Sequence, residues 1–217
     1  MSKTNTILLK ALKINEITLP STQIDQLSEY LTLIQQWNRV YNLTAITEPL
    51  AMAYLHIIDS LLVSPYLHGS HMLDVGTGAG LPGIPLAIVH PDHKWTLLDK
   101  SQKKTRFLIQ ANASLHLKNV AIVTTSIEDF HPAVGFDSIL SRALGSIRNL
   151  VTMSAHLLNK QGMIIAMKGK YPSQELNQIP DDFYIVDVIR LSMIGRDVER
   201  HLVCLKRKLP IRGSQGG

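Results

Sequence analysis

A glycine-dense turn between two apolar runs constrains the fold of this chain more than any other feature. In the segment HMLDVGTGAGLPGIPLAIV, residues 71–89, Asp74 is followed by Gly76, Gly78 and Gly80. Glycine lets the backbone turn sharply after a strand and lets a ligand approach without a Cβ in the way. A strand, a glycine turn and a helix in this order predict a doubly wound α/β fold, which binds ligands at the carboxyl ends of its strands.

Short apolar runs and helical stretches alternate after residue 71. The runs MLDV, KWTLLD, NVAIVT, DSILS and GMIIAMKG predict strands, with helices between them such as Ser101 to Leu115. This alternation is typical of a mostly parallel sheet covered on both faces. The interval SMIGRDVE between the last two runs, FYIVDVIRL and RHLVCLKRK, is too short for a helical crossover. We therefore expect a seven-stranded sheet whose last strand is antiparallel.

The chain divides into three predicted regions. Residues 1–65 are expected to form an amino-terminal helical segment, in which Ser21 or Thr22 caps a helix with apolar residues at helical spacing. Residues 66–209 are expected to form the α/β domain, and residues 210–217 a flexible tail.

Composition excludes several classes of protein. The only cysteine, Cys204, rules out a disulfide framework or a thiolate zinc site within the chain, and we expect no metal. No apolar run reaches the roughly 18 residues of a membrane span, and lysines interrupt the amino-terminal apolar stretch, unlike a secretory signal. A cytoplasmic protein without membrane contact is expected. The net charge of +5 is compatible with an acidic partner such as RNA.

The glycine pattern favours one cofactor. The dinucleotide fingerprint G-x-G-x-x-G fails here because Leu81 stands at its third glycine position. The pattern present, D-x-G-x-G-x-G followed by Asp99 at the end of the next strand, resembles that of the class I S-adenosylmethionine-dependent methyltransferases. Asp74 would pair with the cationic cofactor and Asp99 would accept both ribose hydroxyls, so we predict that Asp74, Gly76, Gly78 and Asp99 bind it.

Other interpretations of the turn stay open. A nicotinamide or flavin enzyme, or a purely structural turn, would also use glycines here. The alternative role of Asp74 is as the cap of the following helix.

The sequence lacks the features typical of two common methyl-transfer chemistries, and this narrows the choice of methyl acceptor. The run SRALG, residues 141–145, has no proline of the kind that follows strand four in exocyclic amino methyltransferases. Methylation at cytosine or uracil C5 needs a cysteine nucleophile, whereas Cys204 lies in a terminal apolar strand, where a buried structural thiol is expected. Guanine N7 carries a free lone pair and no proton. Its methylation therefore needs alignment of the reactants and no general base, which fits the absence of an evident acid/base pair.

A more specific resemblance rests on six motifs. YNLT, HIIDSLL, DVGTGAGLPGIPLAI, LLDKSQKKTRFL, SRAL and MKGK occur in this order from Tyr41 to Lys170. Together they resemble the small-subunit (16S) ribosomal RNA guanine-N7 methyltransferase G family, also called glucose-inhibited division protein B. The resemblance implies a Rossmann-like fold with an amino-terminal helical segment and methylation of a guanine in the 530 loop (helix 18) of bacterial 16S rRNA. The expected partner is 16S rRNA or the small ribosomal subunit, and we expect a monomer. A methyltransferase for a protein or small molecule is the alternative.

The same resemblance implies cofactor contacts at Gly76, Leu81, Ile127, Glu128 and Arg142. Ile127 and Glu128 would recognise the adenine face and edge, although Glu128 is equally explained as a solvated loop acid. Arg142 is expected to bind a carboxylate or an RNA phosphate as a catalytic residue, with a plain surface arginine as the alternative.

Weaker expectations concern the acceptor side, where Asn42 and Lys168 are predicted as further catalytic residues. Asn42 and Thr44 are expected to border the base pocket, although asparagine at a helix end is as often a cap. Lys168 would meet RNA at the pocket mouth, His56 would be a packed histidine and Asp59 would orient the glycine turn. Basic clusters would hold RNA phosphates if they share the pocket's face, and otherwise each is an ordinary solvated surface: Lys100, Lys103, Lys104, Arg106, Lys170, Lys206, Arg207 and Lys208.

Overall fold

The amino-terminal segment is helical, as predicted. The structure, a computed structural model, describes residues 3–142 and 144–209. The segment comprises two helices and a third helical stretch that is interrupted by a π-helical turn: α1 (Lys3–Ile14), α2 (Ser21–Tyr41), α3 (Pro49–Met52), the π turn (Ala53–Ile58) and α4 (Asp59–Leu61).

The start of α2 differs from the prediction. Pro20 occupies the N-cap position, and its carbonyl accepts the amides of Gln23 and Ile24. Ser21 is therefore already inside the helix, and no side chain caps this end. The prediction that Ser21 or Thr22 caps the helix was wrong.

A seven-stranded sheet follows, in the order β3-β2-β1-β4-β5-β7-β6. The first five strands are parallel, and β7 runs antiparallel to both β5 and β6, as predicted. The strands are β1 (His71–Val75), β2 (Lys94–Leu98), β3 (Val120–Val123), β4 (Phe136–Arg142), β5 (Leu158–Lys168), β6 (Phe183–Arg190) and β7 (His201–Arg207).

Helices connect the consecutive parallel strands, except for β3 and β4, which are joined by a loop. The helices after β1 are α5 (Gly83–Val89), α6 (Gln102–Ser114), α7 (Ile147–Ser154) and the short α8 (Ser173–Leu176). Ser101 holds the N-cap position of α6, but its hydroxyl makes no capping hydrogen bond. None of the helices in the described part of the chain is long and apolar enough to cross a membrane.

The helical segment and the sheet share one hydrophobic core. Leu27 and Ile34 of α2 belong to the same buried cluster as Ile84 of α5, Leu97 of β2 and Phe107 of α6. Residues on both sides of the predicted boundary at residue 65 therefore pack together. The predicted tail, residues 210–217, lies outside the described residues.

Candidate active site

A crevice lies where the carboxyl ends of the first three strands meet. The strand order places the direction change between β1 and β4, the position at which open α/β sheets bind ligands. A cavity of about 280 Å³ opens there. It brings together four of the predicted cofactor residues, which line it with others nearby: Gly76, Asp99, Ile127 and Glu128, with Leu98, Lys100, Lys104, Thr125, Ser126, Leu144 and Met153.

The glycine turn is shaped for close approach. Gly76 has φ +65°, and a Cβ there would lie 2.6 Å from Leu144 Cδ1. Only glycine adopts this conformation readily and leaves the room that the loop after β4 occupies. Behind the turn, the buried Tyr30 of α2 donates its hydroxyl to the Ala79 carbonyl. The turn is therefore held from the helical segment as well as from the sheet.

Asp74 is buried beneath the turn. Its Oδ2 accepts the Gly83 amide at 2.8 Å and the Thr77 hydroxyl at 2.6 Å. Burial raises the pKa of Asp74 to about 7 despite these hydrogen bonds. The Gly83 contact is the helix-capping alternative left open by the sequence. Asp74 does not line the crevice, so its contact with a cofactor stays a prediction.

Asp99 connects the turn to the end of β2. Its Oδ2 accepts the Gly78 amide and its Oδ1 the Ser101 amide, each at 2.9 Å, and Lys104 Nζ lies 3.4 Å from Oδ2. These contacts fix the carboxylate at the crevice wall while carboxylate lone pairs remain for further donors. Gly78 thus contributes to the site through Asp99.

The remaining predicted cofactor residues differ in position. Ile127 is buried at the crevice wall and Glu128 is exposed beside it. Leu81 is not brought to the crevice, because its side chain packs in the core shared with the helical segment and its amide donates to the Thr77 carbonyl. A cofactor contact for Leu81 stays a prediction that this geometry does not favour.

A second cavity, of about 410 Å³, lies beyond the tip of β4. Arg142 lines it, and Arg142 Nη1 donates to the Leu55 carbonyl at 2.8 Å and lies 3.4 Å from Asp59 Oδ2. Arg200 Nε donates to the other oxygen of Asp59 at 2.7 Å. The expectation that Asp59 orients the glycine turn was therefore wrong: its buried carboxylate pairs with two arginines. Further lining residues are Thr44, Ile46, His56, Met167, Lys168 and Gly169.

His56 is a packed histidine, as expected. It is buried, and its Nε2 lies 3.3 Å from the Thr44 hydroxyl. Burial, with a smaller contribution from the Arg142 charge, lowers the pKa of His56 to about 4. A neutral imidazole therefore borders the second cavity at neutral pH.

Asn42 is not brought into this cavity. It ends α2 in the left-handed conformation, with φ 49°, and lines a neighbouring groove that shares Ile46 with the second cavity. Its backbone has the C-cap position of α2, which is the alternative that the sequence left open for Asn42. Sequence reasoning missed Asn38, whose carboxamide bonds both the amide and the carbonyl of Thr44 at 2.9 Å and so fixes the YNLT loop.

Lys168 holds the loop that follows β4. Its Nζ donates to the Gly145 carbonyl at 2.8 Å and pairs with Glu175 Oε2 at 2.8 Å. Glu175 Oε2 also accepts the Ile147 amide at the start of α7. Lys168 lines the second cavity, but its ammonium already has partners within the chain.

The basic clusters lie at different ends of the sheet. Lys100 and Lys104 line the crevice. Lys206 and Arg207 lie at the far end of β7, which runs antiparallel to β5, and are therefore remote from both cavities. Within residues 3–142 and 144–209, no three His, Cys, Asp or Glu side chains come together as a metal-binding group.

Comparison with known proteins decides the family. The sequence model described as rRNA small subunit methyltransferase G matches residues 23–203. The chain belongs to this family. Two curated proteins named Ribosomal RNA small subunit methyltransferase G illustrate the similarity: that of Aeromonas salmonicida (strain A449) is 42% identical over 97% of this chain and 99% of its own length, and that of Cronobacter sakazakii is 44% identical over 88% and 92%.

Solved structures confirm the predicted fold class. The O-methyltransferase TomG from Streptomyces achromogenes, in complex with SAM, aligns with a TM-score of 0.60 over 96% of this chain and 100% of its own, at 13% identity. Coclaurine N-methyltransferase aligns with a TM-score of 0.56 over 94% and 93%, also at 13% identity. This methyltransferase G family member therefore has the class I methyltransferase fold.

Proposed function

We propose that this protein transfers a methyl group from S-adenosylmethionine to N7 of a guanine in the 530 loop of bacterial 16S rRNA. The observation that carries the proposal is membership in the rRNA small subunit methyltransferase G family over residues 23–203. The choice of N7 and of this loop rests on the motifs from YNLT to MKGK.

The crevice fits the proposed cofactor by its donor set. Asp99 presents a carboxylate suited to ribose hydroxyls, and Ile127 presents an apolar wall suited to a flat base. Gly76 lines the crevice at the turn, where the cofactor's methionyl end would lie. Bound there, S-adenosylmethionine supplies an electrophilic methyl group on a sulfonium cation.

The second cavity is proposed to hold the guanine. Arg142 stands at the tip of β4, next to the glycine turn on one side and to this cavity on the other. Because N7 has no proton to lose, the neutral His56 is suited to packing against the acceptor without abstracting a proton. The chain's contribution is then to align the base and exclude water, and alignment of this kind supplies roughly 7–11 kcal/mol in favourable cases.

The chain's other properties support a simple enzyme. We propose that it acts as a monomer in the cytoplasm and without a metal, and that 16S rRNA or the assembled small subunit is its substrate. The proposed location and chemistry are compatible with the single, buried cysteine, Cys204.

Transfer of tritiated methyl groups tests the proposal. Small ribosomal subunits that lack the modification should accept about one methyl group each, at N7 of a guanine in the 530 loop, whereas subunits already modified should accept none. Label in another substrate, with none in the unmodified subunits, would contradict the proposal and favour a methyltransferase for a protein or small molecule.

A further inference from the structure

Two arginines from distant parts of the chain meet on one buried carboxylate in the second cavity. Arg142 ends β4, and Arg200 directly precedes β7. Asp59 accepts Arg200 Nε at 2.7 Å on Oδ1 and lies 3.4 Å from Arg142 Nη1 through Oδ2. The Asp59 carboxylate, at the start of α4, thus holds the two guanidinium groups close together in the wall of the cavity.

A π-helical turn makes this arrangement possible. Ala53–Ile58 is wound more widely than an α-helix, and the Asp59 amide bonds to the Tyr54 carbonyl five residues earlier. Within the widened turn, the Leu55 carbonyl accepts Arg142 Nη1 at 2.8 Å. π turns inside helices occur frequently at functional sites, and this one presents a carbonyl and a carboxylate to the same guanidinium.

The Asp59 carboxylate is buried more deeply than the two guanidinium groups that it contacts. The Asp59 side chain is 2% exposed, whereas those of Arg142 and Arg200 are 27% and 24% exposed. The carboxylate is therefore inside, and the guanidinium groups form the cavity wall. Asp59 neutralises one of the two positive charges, and Lys168 nearby is neutralised by Glu175, so this wall carries about one net positive charge.

Both arginines keep donors for a ligand. Arg142 uses Nη1, and Arg200 uses Nε and Nη1, the latter for the Glu199 carbonyl. Their remaining N–H groups donate to no other residue in the described part of the chain. Guanidinium groups are suited to planar, two-point binding of phosphate, and one net positive charge matches one phosphodiester.

We infer that Asp59 positions Arg142 and Arg200 as a binding site for one phosphodiester group of the substrate RNA, next to the base that receives the methyl group. The inference rests on the proposed function, because it names what this cavity binds besides the guanine. Asp59 is a positioning residue in this site, and Arg142 and Arg200 make the contacts.

The first test compares two arginines of one loop. Arg200→Gln removes a proposed phosphate contact. Arg196→Gln removes the same charge from a side chain that lies over the Tyr54 ring and outside the lining of this cavity. Binding of unmodified small subunits is measured against salt concentration in the presence of S-adenosylhomocysteine. Arg200→Gln should weaken binding roughly tenfold or more and reduce the salt slope by about 0.7 to 0.9, and Arg196→Gln should change the slope much less. Equal slopes in the two variants would overturn the inference.

The second test exploits the sign of the charge change. Asp59→Asn removes a negative charge from an RNA-binding surface, so long-range electrostatics alone would strengthen RNA binding. A positioning role for Asp59 predicts the opposite, namely that RNA binding should weaken roughly tenfold. In the double variant Asp59→Asn/Arg200→Gln, the loss of binding free energy should be smaller than the sum of the two single losses. Tighter binding, or fully additive effects, would contradict a positioning role. Arg200→Lys, which keeps the charge and loses the two-point geometry, replaces Asp59→Asn if that variant does not fold, and it should also bind more weakly.

The cofactor's own carboxylate is the competing anion. Calorimetric titration with S-adenosylmethionine distinguishes it, since Arg200→Gln should leave cofactor affinity unchanged. A tenfold loss of cofactor affinity with an unchanged RNA salt slope would assign the arginines to the cofactor and overturn the inference. Failure of the proposed function looks different: the unaltered protein would then methylate no unmodified subunits at all.

Discussion

The amide of Gly78 donates a hydrogen bond to Asp99 Oδ2 at 2.9 Å, which joins the glycine turn after β1 to the residue that follows β2. One carboxylate thus shapes the turn and forms the crevice wall. A change at Asp99 should therefore affect both the cofactor's sugar and the loop beside it.

Asp99→Ala should weaken S-adenosylmethionine binding roughly tenfold to a hundredfold, because charge-assisted hydrogen bonds to the ribose are lost. The chain should still fold, with a modest loss of thermal stability from the released Gly78 and Ser101 amides. Isothermal titration calorimetry measures the affinity. Asp92→Ala, in an exposed loop, is the matched control and should bind as the unaltered protein does. Unchanged affinity in Asp99→Ala would show that the ribose assignment is wrong.

Arg142→Ala should lower kcat for subunit methylation roughly a hundredfold, because the acceptor loses its alignment at the tip of β4. Single-turnover methylation at saturating cofactor measures this. Arg148→Ala, an exposed position on α7, provides the comparison and should retain full activity. An Arg142→Ala enzyme as active as that control would remove Arg142 from the site.

Substitutions of Lys168 and of Glu175 should lower the methylation rate in the same way. Lys168→Met and Glu175→Ala both release the loop after β4, one by freeing the Gly145 carbonyl and the other by freeing the Ile147 amide. Each should lower kcat by roughly tenfold with little effect on the RNA salt slope, since misplacement of the loop disturbs alignment. If only Lys168→Met is impaired, and its salt slope falls, the ammonium contacts RNA directly, as the sequence had suggested.

His56 should contribute to loss of stability in acid. Its folded pKa of about 4 lies below its ordinary value of 6.5, so the unfolded chain binds this proton first as the pH falls. The contribution of His56 to stability is complete above pH 6.5 and declines toward pH 4, by roughly 3 kcal/mol at most. Urea unfolding at several pH values should show a shallower decline for His56→Gln than for the exposed control His131→Gln. Parallel curves would contradict the prediction.

Local pattern was sufficient for the sheet and for much of the crevice. Gly76, Asp99 and Ile127 follow three successive strands, and parallel strands end at one edge of a sheet. The antiparallel last strand was predictable from the short interval before it. The role of Asp74 is ambiguous from the sequence pattern alone. Its partner Gly83 lies only nine residues away, so the same local pattern is compatible with a helix cap and with a ligand site.

The acceptor side was predicted less well, because its contacts join distant residues. Arg200 and Asp59 are 141 residues apart, and no local pattern marks an arginine in an irregular loop as the partner of a helical carboxylate. Asn38 fixes the YNLT loop through hydrogen bonds to the backbone of Thr44. In the sequence, Asn38 is simply a polar residue in a helix, and nothing local indicates this contact. Helical periodicity and capping patterns do not predict the π turn that redirects the Leu55 carbonyl.

The hydroxyl that Tyr30 extends to the Ala79 carbonyl has a consequence for any shortened form of this protein. A chain begun at the first strand would keep every glycine of the cofactor loop and lose the wall against which that loop rests. Ile84 and Phe107 would become open to water in the same truncation. The first sixty-five residues are thus a structural part of the catalytic unit, and deleting them should abolish cofactor binding as well as the arginine site that Asp59 positions.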